Sequence, residues 1–416
     1  MGNDMVLTRH FRGLVGRILG RCGGQLPRNA LIRLQPGKPV RGRMLLSYST
    51  QVYERLLRGQ PFDRTHISAW HNFQISRTFL DLGFQVDVIR FDDHRTIPNA
   101  DYDVMVDIVS NIGRLADRLG PGCIKILHPM FSHWTVHNSR NYARHAALAQ
   151  RRGVALKPQR LVEPNDSVER ADYITCRGGA FSRGSYDYGK AAILRLPQLT
   201  PAAIDGYIDR DMDRCRNRFV WLGGNGVVHK GLDLLLEAFA GLPDCHLTVC
   251  GRVSTEKSFE SLYRRELYES PNIETIDWID TLSDRFRHIV TGSVALILPS
   301  ASELSCGSVI AGMMTGLIPV TTPSTDIDVS GIGFSIEEDS VAAVRSAVCA
   351  VRDQSAARLA EMSRASWEAA DQRYGRDKFL RAYRETICGI LDLPPADEWA
   401  QLEGEMRVPE MKVCKL

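Results

Sequence analysis

The chain has 416 residues, 44% of them apolar and 24% charged, and a formal net charge of +3. That length exceeds what one ordinary core supports, so two domains are expected. No apolar run approaches the roughly 18 residues that span a bilayer, and the N-terminus lacks the continuous apolar stretch of a cleavable signal peptide.

The ten cysteines, Cys22 to Cys414, are scattered, with no Cys-x-x-Cys pair and no histidine at zinc-ligand spacing. Free thiols in a reducing cytoplasm explain them best, and their spacing gives no sign of a metal cofactor. Charge is unevenly spread. Residues 1–43 hold nine Lys/Arg against Asp4 alone, which leaves 43 basic and 48 acidic residues for a mildly acidic body.

In chain order, the basic head comes first. Leu7, Phe11, Leu14, Val15, Ile18 and Leu19 recur at helical spacing, while Arg9, Arg12, Arg17 and Arg21 fall mostly off that stripe. Residues 6–22 read either as a helix on an anionic membrane surface or as one docked on the protein's own body with solvated arginines. Gly13, Gly16 and Gly20 weaken it as an isolated helix. Nucleic acid is not an expected partner, since the body has neither a basic stripe nor aromatic-basic alternation.

Strands are predicted at Met44 to Tyr48, Gln85 to Phe91, Tyr102 to Val109, Cys123 to Leu127, Ala171 to Cys176 and Ala191 to Leu196. Between them fall a polar loop from Gln51 to Arg64, a helix from Ile67 to Leu82 stopped by Gly83, and a helix from Asn138 to Arg152 stopped by Gly153. The polar, turn-prone segment Thr200 to Asn217 reads as an interdomain linker. The pattern then restarts with strands at Arg218 to Leu222, His246 to Cys250, Ile273 to Trp278, Ala295 to Leu298 and Leu317 to Thr321. Helices at about Gly231 to Ala240, Phe259 to Tyr268 and Asp284 to Val290 alternate with them, and helices fill the rest to about Asp392. Alternation of this kind implies α/β domains with parallel sheets covered on both faces. The division is a basic segment at 1–40, a first domain at 41–213, a second at 214–375, and a C-terminal helix and tail at 376–416.

Three features of the second domain converge on chemistry. The glycine-rich turn Gly223-Gly224-Asn225-Gly226 lets backbone approach a ligand, or is merely a tight turn. Lys230, just before a helix, is a mobile point charge suited to phosphate, or a solvated lysine at a helix start. Leu298-Pro299-Ser300-Ala301-Ser302-Glu303 leads through Cys306, Gly307 and Ser308 into a helix, whose unpaired N–H groups suit an anion. Glu303 is then either a hydroxyl acceptor beside that anion or an acid stabilised by the helix dipole. A diphosphate joined to a sugar would use all three features.

Two motifs resemble a known family. Phe219-Val220-Trp221-Leu222-Gly223-Gly224, followed by His229-Lys230-Gly231-Leu232-Asp233-Leu234-Leu235-Leu236-Glu237-Ala238-Phe239, resembles one signature of the family 4 retaining glycosyltransferases. Leu298 to Glu303, then Gly307 and Gly316-Leu317-Ile318-Pro319-Val320, resembles a second. The resemblance covers about residues 215–385 well and is only topological over 40–200. It implies the GT-B fold, two Rossmann-like domains whose parallel sheets face a cleft, and transfer of a sugar from a nucleotide diphosphate with retention and without metal.

Carried over by position, the catalytic set is His128, Glu303 and Lys230. The donor site is Gly223, Gly224, Asn225, Lys230, Arg252, Glu303, Cys306, Gly307 and Ser308. Lys230 and the backbone at 306–308 would hold the diphosphate, and Glu303 would face the sugar hydroxyls. His128, after the strand ending at Leu127, matches the family's mid-domain histidine, with His133 as second choice. Ser47, His71 and His133 stand on the acceptor side, with His66 and Asn72 as further positions there. Two positions depart from the pattern. Gly224 replaces a phosphate-binding arginine, for which Arg252 is a positional substitute, and Ala311 replaces the glutamate that usually holds the ribose.

The function implied is transfer to a glycan or lipid-linked acceptor, with surface polysaccharide synthesis on the cytoplasmic side of the membrane as its setting. A non-catalytic GT-B module that binds a glycan or protein, and a sugar-nucleotide epimerase, are the alternatives; the epimerase would need more acid/base groups than Glu303 and the histidines provide.

Overall fold

The computed structural model describes residues 27, 29–61, 67–200, 204, 206–394 and 409–414. Residues 6–22 of the basic head lie outside the described residues, as does His66. Among the described residues no helix is long and apolar enough to cross a membrane.

Two sheets organise the chain. The first has eight strands in the order β14-β1-β3-β2-β4-β5-β6-β7. They are β1 (Leu31–Gln35), β2 (Gly42–Tyr48), β3 (Phe84–Arg90), β4 (Val104–Asp107), β5 (Ile124–Leu127), β6 (Tyr173–Cys176), β7 (Ala192–Arg195) and β14 (Glu410–Cys414). From β3 to β7 neighbouring strands pair in parallel, while β1 runs antiparallel to both β3 and β14. The second sheet has the order β10-β9-β8-β11-β12-β13 and is parallel throughout. Its strands are β8 (Arg218–Gly223), β9 (His246–Gly251), β10 (Ile273–Asp277), β11 (Ala295–Leu298), β12 (Ile318–Thr321) and β13 (Phe334–Ser335).

Helices cover both faces, and the cores follow from that layering. β11 and β12 are buried along their whole length, as strands sandwiched between helices must be. Leu232, Leu234, Leu235, Leu236 and Phe239 of the helix Leu232–Phe239 are buried in the same core.

Three sequence expectations change. Gln51–Leu57 is a helix and not part of a loop. Val52 and Tyr53 bury against the first core, and the Tyr53 hydroxyl donates to Ser76 Oγ at 2.7 Å. The basic segment 1–40 is not wholly apart from the first domain, because Leu31–Gln35 is a strand between β3 and β14 with Leu31, Ile32 and Leu34 buried. The expected helix from Phe259 to Tyr268 breaks into Lys257–Leu262 and Arg264–Tyr268 at Tyr263. That residue is buried and donates its hydroxyl to Glu237.

The halves are tied together twice. After Tyr374 of the second core, the chain turns at Gly375 (φ +155°) and the helix Arg376–Ile390 returns to the first sheet. There it inserts Phe379, Tyr383, Ile387 and Cys388 into the first core. In the other direction, the helix Trp134–Arg152 of the first half places Leu148 in the second core. Its arginines follow. Arg151 bonds Asp233 at 2.6 Å and Glu237 at 2.9 Å, and Arg152 bonds Glu266 at 2.8 Å. Fully buried Arg144 reaches the Pro299 carbonyl at 3.0 Å and Asp339 at 2.7 Å.

Candidate functional site

The carboxyl ends of β8 and β11 face the first half, and the two motifs of the second half meet there. The Lys230 ammonium donates to Glu303 Oε1 at 2.5 Å, and the Ser300 hydroxyl donates to the same oxygen at 2.9 Å. Glu303 Oε2 lies 3.9 Å from the guanidinium of Arg160, a residue of the first half. Burial alone would push the Glu303 carboxyl up, but Lys230, then Arg160, hold it well below the ordinary carboxylate range. The pocket thus contains one buried carboxylate between two cations, a net positive site.

The sequence accounts for this placement. Glu303 sits on a loop pinned at both ends: its N–H donates to the Ser324 carbonyl at 2.9 Å, and its own carbonyl accepts from the Ser182 hydroxyl at 2.8 Å. His229, also buried, bonds the Ser302 carbonyl through Nε2 at 2.6 Å and lies against the ring of His137. Lys230 is turned inward by a tight bend, in which its N–H donates to the Gly226 carbonyl at 2.9 Å and its carbonyl accepts from the Trp221 indole at 3.1 Å.

Gly231 closes that bend at φ +72°, and a Cβ there would run into the Pro299 carbonyl and Arg144. Gly231→Ala is therefore expected to cost at least about 2 kcal/mol in urea unfolding. Gly224→Ala, which faces open space, should change stability by less than about 0.5 kcal/mol. Equal effects of the two would remove the steric reading.

The glycine turn has a structural explanation. A Cβ on Gly223 or on Gly251 would strike the ring of Trp221 of β8. Gly224 and Asn225 are exposed, and Asn225 helps line a cleft of about 350 Å³ with His145, Lys157, Gln159 and Glu256. The N–H groups of Gly226 and Val227 are already taken, since both donate to Glu256 Oε1, at 2.5 and 3.1 Å.

Arg252 is exposed at the start of a short 3-10 turn, and the cation that stands by Glu303 is Arg160. Arg160 adopts φ +59°, its side chain packs over Gly226, and its guanidinium lies 5.5 Å from the Phe131 ring. Cys306 caps the helix Gly307–Met313, and burial, with Glu303 adding to it, pushes its thiol up to about 12. Gly307 and Ser308 are half-buried at its first turn. With only seven residues, this helix has a short dipole, so most of the local positive charge comes from the two side chains. Ala311 faces the second core and offers nothing to a ribose.

In the first half, His128 follows β5 and His71 lies on the helix Ile67–Asp81, both buried with their rings 4.7 Å apart. His128 Nδ1 is 2.7 Å from Thr175 Oγ1, and His71 Nδ1 is 3.2 Å from the Tyr48 hydroxyl. Burial, with Arg177 adding to it, holds both imidazoles well below their ordinary pKa and therefore neutral. Asn72 instead braces the β2 end, donating to the Ser49 carbonyl at 2.5 Å.

His133 is set elsewhere. Its two ring nitrogens meet Thr135 Oγ1 at 2.8 Å and the Tyr188 hydroxyl at 2.9 Å, which makes it the fixed start of the helix Trp134–Arg152. Ser47 is fully buried and accepts from Asn111 at 2.9 Å, a bracing role at the β2 end. Arg160 and Arg177 are absent from the sequence-derived set. A basic residue directly after a predicted strand and before Gly178-Gly179 was the available signal for Arg177; nothing local marks Arg160.

Two α/β domains, one with a largely parallel and one with a wholly parallel sheet, face each other across this site, the C-terminal helix returns to the first, and the fold is GT-B. No protein-family model matches the sequence, and no curated protein matches it. Among solved structures, sucrose-phosphate synthase from Thermosynechococcus elongatus aligns with 84% of this chain and 99% of its own, at TM-score 0.58 and 10% identity. HepE from Anabaena, in complex with UDP and glucose, aligns with 85% and 100%, at TM-score 0.51 and 11% identity. At such identities the likeness is one of fold.

Proposed function

We propose that this chain is a glycosyltransferase that moves a sugar from a nucleotide-diphosphate donor to a glycan or lipid-linked acceptor, with retention. The observation that carries this reading is the buried Glu303 held between Lys230 and Arg160 at the carboxyl edge of the second sheet of a GT-B fold. A carboxylate that stays ionised is suited to accept hydrogen bonds from sugar hydroxyls. The two cations are suited to the negative charge that builds on a departing diphosphate. Arg160 takes the part of the cation that Gly224 lacks. Bound in a salt pair, Glu303 is a poor nucleophile, which favours attack by the acceptor hydroxyl on the face the diphosphate leaves. No metal is invoked, because two side-chain cations already crowd one carboxylate. The setting is surface glycan synthesis at the cytoplasmic side of the membrane, with the basic segment 6–22 as a membrane contact.

The expected result is hydrolysis or transfer with at least one donor in a panel of UDP, ADP, GDP and dTDP sugars, with product and donor sharing an anomeric configuration by NMR. Arg160→Met should lower turnover about 10²-fold while leaving the unfolding midpoint near wild type. An inverted product would end the retaining reading.

A second reading, a non-catalytic GT-B module, is favoured by Glu256, whose carboxylate already occupies the N–H groups of Gly226 and Val227. No turnover and no thermal shift with any donor would decide for it.

A further inference from the structure

The carboxyl edge of the first sheet holds a charge that no carboxylate among the described residues balances. Arg177 follows β6 directly and is 4% exposed, yet among the described residues it meets no carboxylate. Its guanidinium donates to Met130 Sδ at 3.1 Å, a weak acceptor, and its buried Nε has no partner among the described residues. Burying a guanidinium without an anion is costly, since the lost hydration is not replaced.

The neighbouring groups share the deficit. Tyr48 ends β2, His128 follows β5, and His71 faces His128 from the helix Ile67–Asp81. Nε2 of His71 and Nε2 of His128 are both buried without a partner, as is the hydroxyl of Tyr383, whose ring lies 5.7 Å from His128. In the tautomers in which the hydroxyls of Tyr48 and Thr175 donate to the two Nδ1 atoms, both Nε2 atoms carry hydrogen and are donors. Hydrogen-bond capacity that is unmet, mostly donating, and gathered around one cation is the complement of an oxyanion. Carboxyl edges of parallel sheets are where α/β folds bind ligands.

We propose that Tyr48, His71, His128 and Arg177 form a subsite for an oxyanion, a phosphate or carboxylate borne by the acceptor. The word acceptor rests on the glycosyltransferase reading; the anion site itself does not. Arg177 supplies the charge, the imidazoles supply neutral donors, and Phe379 and Tyr383 close the site from the C-terminal helix. The acceptor class is then an anionic saccharide and not a neutral one.

Thermal shift and calorimetric titration of the full chain, without donor, test this with inorganic phosphate, glucose 6-phosphate, glucuronate and neutral glucose. Stabilisation by one or more of the anions and none by glucose is expected; glucose 6-phosphate against glucuronate distinguishes a phosphate from a carboxylate source. Arg177→Met should weaken anion binding at least about tenfold. Its unliganded unfolding midpoint should be equal to or higher than wild type, because it removes an unpaired buried charge. His128→Phe, which keeps Arg177, should weaken binding by a smaller factor.

Anion binding unchanged in Arg177→Met but lost in Arg160→Met would locate the anion beside Glu303 and overturn the proposal. So would equal responses to glucose and glucose 6-phosphate. Anion binding lost in Arg177→Met in a protein that turns over no donor would leave the subsite standing and sink only the transferase reading.

Discussion

Lys230→Met is expected to lower stability in urea unfolding by about 3–5 kcal/mol, because it leaves the buried Glu303 carboxylate without its closest cation. Arg160, 3.9 Å away and partly solvated, is too distant to replace it in full. Donor turnover should fall at least about 10²-fold in the same variant. Glu303→Gln alone strands the lysine and should also destabilise. The double variant removes both charges, and its stability should return towards wild type while donor turnover stays low. A double-mutant cycle on urea midpoints measures this directly, with a coupling of about 0.5–3 kcal/mol expected. Strict additivity of the two single changes would mean that Lys230 and Glu303 do not depend on one another, and the charge logic of the site would fail.

That pair also explains how the site can wait for a ligand. Lys230 serves Glu303 when no phosphate is present, so the carboxylate is never buried alone. On the proposed glycosyltransferase reading, a diphosphate entering the cleft would share Lys230 and Arg160, and Glu303 would then turn its free valence to hydroxyl donors. Glu256 does for Gly226 and Val227 what a phosphate oxygen could do, with a carboxylate of the chain itself.

Much of the second half was legible in its sequence. The strand Ala295–Leu298 stands where its apolar run placed it, and Lys230 and Glu303 meet although 73 residues separate them. Periodicity and turn residues act over short distances, and these elements are locally consistent. What could not be read depends on contacts between distant segments. β1 and β14 are short; β14 owes its place to antiparallel pairing with β1 across nearly the whole chain, and β1 is held between β14 and β3. Val52, Tyr53, Leu56 and Leu57 already carry a helical spacing, but the polar residues around them masked it. Arg160 reaches Glu303 only because the helix Trp134–Arg152 is docked on the second core through Leu148. Glycine was the most misleading signal. Gly223 and Gly251 make room for Trp221, a packing demand that no motif distinguishes from a ligand's.

Acid should destabilise this protein. His71, His128, His137 and His229 are held neutral, in each case chiefly by burial, and His137 is brought down to about 4. In the unfolded chain each titrates near 6.5. The folded pKa values lie below the unfolded one, so the unfolded state binds more protons as pH falls. Stability present above pH 6.5 is therefore lost below it. From pH 7.5 to 5.5 each histidine should remove about 1.4 kcal/mol, or about 5.5 kcal/mol for the four, against a total of about 5–15 kcal/mol for a typical domain. Asp107, Asp233 and Asp326 oppose this, since burial pushes their carboxyls up and they take protons in the folded state first. Urea midpoints at the two pH values measure the net loss, and His128→Asn should reduce it by about 1.4 kcal/mol relative to wild type. A variant that loses as much as wild type would show that His128 is protonated in the folded protein. A charged His128 beside Arg177 would in turn require an anion between them.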